Sequence, residues 1–156
     1  MSSTRLVTAQ KYIAHFANLD KALLASLLSE GYTHEFAPTS LHPPGPFTKT
    51  SFLAHGASLR EIMDGFPVTA KEYFECETSN RVVVWATSEA QFKEEAMDGD
   101  EAEWEYKGEY VFMFWMDESG ETIERTVEFL DSAATKERLF GLMARAKANL
   151  GKITDS

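Results

Sequence analysis

The chain has 156 residues, of which 44% are hydrophobic, and a formal net charge of -10; this suits one domain with a real core, and the acidity, with no basic patch against it, excludes nucleic acid as a partner. No apolar run approaches the ~20 residues of a membrane span, and the opening MSSTRLVTAQKY lacks a signal peptide's apolar stretch, so no membrane partner is expected. The single cysteine, Cys76, excludes an internal disulfide framework and fits a reducing compartment, which makes a cytoplasmic protein the expectation.

In chain order, Ile13, Phe16, Leu23, Leu24, Leu27 and Leu28 recur at helical spacing. They predict two short helices within residues 4–28, broken at Asn18-Leu19-Asp20, with Asp20 capping the second. Gly31 is expected to end that helix and YTHEFAP to begin a strand. HPPGP, His42 to Pro46, predicts a stiff, turn-rich loop. Thr48 to Ser51 opens a third helix with the stripe Phe52, His55, Leu59, Ile62 and Met63, closed by Gly65 and Pro67. VTAKEYFECET and RVVVWATSEAQF flank a Ser79-Asn80 turn and predict a hairpin. The acidic run from Lys93 to Glu105 reads as a solvated loop, since DGDEAE lacks the ligand spacing of a calcium loop.

An aromatic strand follows, with Trp104, Tyr106, Tyr110, Phe112 and Phe114 in one alternating register around Gly108. Asp117 to Gly120 turns the chain, and TIERTVEFL pairs back. Asp131 is expected to cap a final helix with Leu139, Leu142, Met143, Ala146 and Leu150 on one stripe, and residues 151–156 to fray. The predicted order α-α-β-α-β-β-β-β-α makes a single α+β domain over residues 1–156, an antiparallel sheet with its helices on one side. Strands of ten residues exceed the usual ~5–6 and must bend at bulges or glycines, and Gly108 is the expected place. A bent sheet wrapped around helices forms a cone, whose interior is a pocket lined by alternate strand residues.

GYTHEFAP, FPVTAKEYFECE, RVVVWATSEAQF, YKGEYVFMF and VEFLDS together resemble the SnoaL-like proteins of fungal secondary metabolism, within the NTF2-like superfamily. The resemblance spans nearly the whole chain. It implies an NTF2-like cone-shaped barrel, a homodimer packed sheet to sheet, and no cofactor. It also implies an isomerase or cyclase acting by acid–base chemistry on a hydrophobic polyketide-, aromatic- or alkaloid-type small molecule. Dehydratases and non-catalytic ligand-binding dimers share the fold and stand as alternatives. Relatives with rearrangement activity carry two tyrosines four apart on the fourth long strand and a glutamate on the last, which Tyr106, Tyr110 and Glu128 match. They can also carry a basic residue on the first strand, where this chain has His34 and no arginine.

Glu128 shares a strand face with Glu124, Thr126 and Leu130. If that face is the cone interior, loss of solvent tunes a carboxyl group there toward acid–base work; otherwise Glu128 is a surface glutamate. Tyr106 and Tyr110 either line the pocket, with Gly108 opening space for a ligand between them, or are core tyrosines. His34 alternates with Tyr32 and Phe36 and is expected to be buried, as a core group or as an acid or base. His55 either flanks the pocket mouth or is structural. The expected site therefore has Glu128, His34, Tyr106 and Tyr110 as catalytic residues and Tyr32, Phe36, His55, Phe112 and Trp104 as substrate-binding residues. His15 and His42 look peripheral, and the four histidines show no metal-ligand spacing, so no metal is expected. Cys76 shares a face with Phe74 and reads as an inert buried thiol. Trp85 and Trp115 occupy faces that a second subunit could cover.

Overall fold

The computed structural model describes residues 2–154. Helix α1 (Thr4–His15) is capped by Ser3, whose side chain accepts from the Leu6 amide. Helix α2 (Lys21–Leu27) is capped by Asp20, as the sequence predicts. Strand β1 (Leu28–Ala37) begins at once, so Gly31 lies inside a strand and does not end the helix. Its pairing slips between Leu28 and Thr33, and the bulge accommodates the glycine. A short β2 (Phe47–Thr48) leads into α3 (Lys49–Arg60), whose N-terminus is closed by reciprocal hydrogen bonds between Thr48 and Ser51.

Then come β3 (Met63–Gly65), β4 (Val68–Cys76), β5 (Arg81–Glu89), β6 (Gln91–Phe92), β7 (Lys107–Met116) and β8 (Ile123–Leu130). Asp131 caps the last helical run by accepting from the Ala134 amide. That run is α4 (Ser132–Ala134), one π turn over Thr135–Leu139, and α5 (Phe140–Thr154). The helix therefore continues through Gly151 to Thr154, where fraying was expected; residues 155 and 156 lie outside the described range. No described helix is long and apolar enough to cross a membrane.

The main sheet has the order β2-β1-β8-β7-β5-β4, and β3 pairs with β6 separately. Its pairs are antiparallel except β1 with β8, which run parallel. The sheet is thus mixed, where an antiparallel one was expected. Hairpin turns force the antiparallel sense on neighbours such as β7 and β8, but most of the chain separates β1 from β8, and no local turn dictates their direction.

Helices α1 and α2 pack on the inner sheet face, where Tyr12, Ile13, Leu24 and Leu27 meet Val82, Val84, Phe112 and Phe114. A second cluster gathers Ile62, Met63, Phe92, Trp104, Tyr106, Leu139 and Leu142 beneath the C-terminal helix. Pairing irregularities sit in β1, between Ala70 and Glu72 of β4, and where Met116 meets Ile123. Gly108 carries none; it pairs in unbroken register with Ser88, so no bulge lies there. The irregularity in β8 puts Ile123 inside and both Glu124 and Arg125 outside. Glu124 therefore does not share the inner face with Thr126 and Glu128.

Three further expectations change. The acidic segment is exposed over most of its length, as expected, but it folds into two short 3₁₀ turns that bury Ala96 and Trp104, and Arg145 of α5 holds Asp98 at 2.7 Å. His15 is buried, its Nδ1 on the Tyr12 carbonyl. Cys76 is exposed, because the face it shares with Phe74 is the outer one.

Candidate active site

Between the two apolar clusters lies a cavity of about 110 Å³. Its walls come from β1 (Phe36), α3 (His55, Leu59), β7 (Tyr110), β8 (Glu128, Leu130), the π turn (Thr135, Leu139) and α5 (Phe140, Met143), with Pro43 and Pro44 at one side. Glu128 is the one carboxylate among these lining residues, and none of them is a lysine or arginine.

Strand parity carries Glu128 inward. Its neighbours Val127 and Phe129 point to the outer face, and Glu128 keeps 7% of its surface. The parallel pairing sets His34 opposite Thr126 and Phe36 opposite Glu128. His34 is fully buried, and its Nε2 lies 3.2 Å from Glu128 Oε1, off the line of a well-formed hydrogen bond. Its Nδ1 is 2.7 Å from the Tyr32 hydroxyl. The imidazole stacks on Phe52, with centroids 3.8 Å apart and planes 13° from parallel, and Phe36 meets it edge-on.

A second hydroxyl chain borders the same space. Ser88 donates to the Tyr110 hydroxyl at 2.9 Å, Tyr110 and Tyr106 meet at 3.2 Å, and Tyr106 reaches Thr135 Oγ1 at 3.5 Å. Gly108 is what lets the two phenols converge: a side chain there would put its Cβ 2.5 Å from the Tyr106 hydroxyl and 2.7 Å from that of Tyr110. The space above Gly108 is therefore filled by the tyrosines themselves, and not by a ligand. Burial pushes the Tyr110 phenol far above its ordinary pKa of 10.0, and the neighbouring Tyr106 adds to this, so it remains a neutral donor. Burial also lowers the His55 imidazole below 6.5, with the Glu128 carboxylate opposing; His55 is a neutral group on the wall.

Of the residues singled out in the sequence, Glu128, Tyr110, Phe36 and His55 line the cavity. His34 and Tyr106 stand directly behind them. Tyr32 is one layer further back, reaching the site only through His34. Two expectations are corrected. Phe112 is fully packed against Tyr12, Phe16 and Phe114 in the main core, because the helices cover that part of the inner face. Trp104 precedes β7, ending a 3₁₀ turn; it packs on Phe92 and its indole N–H donates to the Asp98 carbonyl, away from the cavity. Sequence reasoning missed Ser88 and Thr135. Ser88 follows Val82, Val84 and Ala86 in the inner register and was legible by parity; Thr135 sits on a helical turn with no such signal.

The fold matches known structures. The solved structure of AusH from Aspergillus nidulans is 26% identical, with a TM-score of 0.69 over 85% of this chain and 86% of that one. The BvnE pinacolase from Penicillium brevicompactum superimposes with a TM-score of 0.77 over 93% of this chain and 96% of its own, at 20% identity. A SnoaL-like polyketide cyclase from Jannaschia gives 0.66 at 13% identity, covering 86% of this chain and 90% of that one. These likenesses define the class as an NTF2-like α+β cone. In sequence, austinoid biosynthesis clusters protein H from Penicillium brasilianum is 30% identical over 139 residues, covering 85% of this chain and 88% of the relative. Its counterpart from Aspergillus calidoustus is 30% identical over 129 residues, covering 81% and 82%. No family model matches the chain. The chain belongs to the SnoaL-like, NTF2-type proteins of fungal secondary metabolism that include protein H of the austinoid clusters.

Proposed function

We propose that the protein is a cofactor-independent isomerase or cyclase of a fungal secondary metabolite, with the Glu128–His34 pair moving a proton and Tyr110, backed by Tyr106, donating a hydrogen bond to a substrate carbonyl or hydroxyl. The observation that carries this reading is a carboxylate, 7% exposed, set in the wall of a mainly apolar cavity with an imidazole 3.2 Å behind it. Burying a carboxylate is costly unless it is compensated, and the core gains nothing from one that faces empty space. The names of the relatives, austinoid cluster protein H and a pinacolase, support small-molecule rearrangement chemistry.

The lining argues for an uncharged, lipophilic substrate with one oxygen function, since none of the described lining residues is a lysine or arginine that could hold an anion. A volume of about 110 Å³ falls below the ~150 Å³ of an engineered cavity that holds benzene. A polycyclic substrate therefore displaces Phe140 or the Pro43–Pro44 loop on entry.

The test begins with the compound that accumulates when the gene is deleted in its host. Purified protein should convert that compound without added cofactor. Glu128→Gln should slow conversion at least ~10²-fold, the usual contribution of one positioned acid–base group, while binding stays within a few fold. Binding without conversion by the wild type would show a carrier and overturn the reading.

The same reading places a second copy of the chain on the outer sheet face, where Phe74, Trp85, Val111 and Phe129 are exposed. Cys76, exposed and unpaired, suits a reducing compartment such as the cytoplasm.

A further inference from the structure

We propose that Tyr32 is a positioning residue that sets the tautomer of His34, so that the imidazole turns an Nε2–H toward Glu128 and the carboxylate alone exchanges the proton with substrate. This rests on the reading of Glu128 as the acid–base group and divides the labour within its pair. A neutral imidazole has one donor nitrogen and one acceptor nitrogen, and the bond at one decides the role of the other. Two arrangements are available to His34. In one, the Tyr32 hydroxyl donates to Nδ1, and Nε2 carries the hydrogen toward Glu128 Oε1. In the other, Nδ1 donates to Tyr32, and a bare Nε2 lone pair faces the carboxylate.

Hydroxyl accounting selects the first. Tyr12 and Thr126 are fully buried beside the Tyr32 phenol, and neither hydroxyl makes a well-formed hydrogen bond. Buried hydroxyls seek acceptors, and the Tyr32 oxygen is the acceptor next to both. An oxygen whose lone pairs face two such donors directs its own hydrogen outward, and Nδ1 lies 2.7 Å away. Burial keeps the Tyr32 phenol protonated well above its ordinary range, so it retains a hydrogen to give. The stack on Phe52 holds the ring against turning over. At the other end, Nε2 faces Oε1 at 3.2 Å, a pairing that is attractive with the hydrogen on nitrogen and repulsive between a lone pair and a carboxylate.

The chain of groups also ends blind. Tyr12, His34 and Thr126 have no exposed surface, so it offers no route for protons to bulk water. It orients Glu128 and does not drain it.

The experiment is a long-range ¹H–¹⁵N spectrum of the labelled full-length chain near neutral pH. His34 should show a protonated Nε2 and an unprotonated Nδ1. Tyr32→Phe, which removes only the hydroxyl, should convert His34 to a mixture of tautomers while the backbone amide spectrum stays folded. A protonated Nδ1 in the wild type overturns the proposal, and that spectrum decides the case even if Tyr32→Phe does not fold. An unchanged tautomer in folded Tyr32→Phe overturns it as well. The tautomer is read without substrate, so this result is separate from the turnover lost or kept by Glu128→Gln.

Discussion

His15 shows what burial does to a single titratable group. Burial pushes its imidazole down to about 4 from 6.5, against the opposing pull of the Tyr12 carbonyl and Asp20. The folded chain therefore takes up this proton later than the unfolded chain as pH falls. The stability this confers is complete above pH 6.5 and is lost progressively between about 6.5 and 4; a shift of that size is worth roughly 3 kcal/mol. Urea melts at pH 7.5 and 4.5 should show this loss, and His15→Gln, which has no such proton to gain, should flatten the slope between them. An equal slope in both proteins would assign the acid sensitivity elsewhere. The sequence offered no warning: His15 falls near a helix end, and only the packing of Tyr12 and Phe16 around it makes the site dry. Glu128 was singled out by the resemblance, and parity left open whether its face was the inner or the outer one until the structure placed it inside.

At the scale of elements, alternation read the inner face of β7 correctly from Tyr106 to Phe114, because a strand's side chains alternate whatever its partners do. Bulges are different, since they are properties of a pair of strands, and so Glu124 was misjudged, and the irregularities fall away from Gly108. What Gly108 does is make room for two phenol hydroxyls. Gly108→Ala should force them apart, break the 3.2 Å contact and cost about 1–3 kcal/mol by overpacking. Gly141 is the control: nothing lies within 4 Å of a Cβ there, and alanine in that exposed helical position should stabilise by about 0.5–1 kcal/mol. Equal effects at the two sites would refute the crowding argument. The hydroxyl chain from Ser88 to Thr135 crosses from β5 to the π turn, and its last link was invisible in the sequence because no local pattern joins those elements.

At the scale of the whole molecule, the outer sheet face is the unfinished surface. Trp85, Val111 and Phe129 lie side by side across β5, β7 and β8, and Lys71 and Arg125 lie over the rings of Trp85 and Trp115. Light scattering after gel filtration should give twice the 17.5 kDa chain mass, and Phe129→Asp, at a position 46% exposed, should yield a folded monomer. A monomeric wild type would overturn the sheet-to-sheet dimer. The α+β class, the helix caps at Asp20 and Asp131 and the alternation along β7 followed from sequence alone, because periodicity, capping and parity are short-range effects written in neighbouring residues, whereas Glu128 was singled out by the family resemblance. The meeting of His34 with Glu128, the blind cluster behind it and the dry site of His15 were decided only by tertiary structure. They depend on the parallel pairing of β1 with β8 and on helices closing over the sheet, contacts between distant parts of the chain that no local pattern encodes.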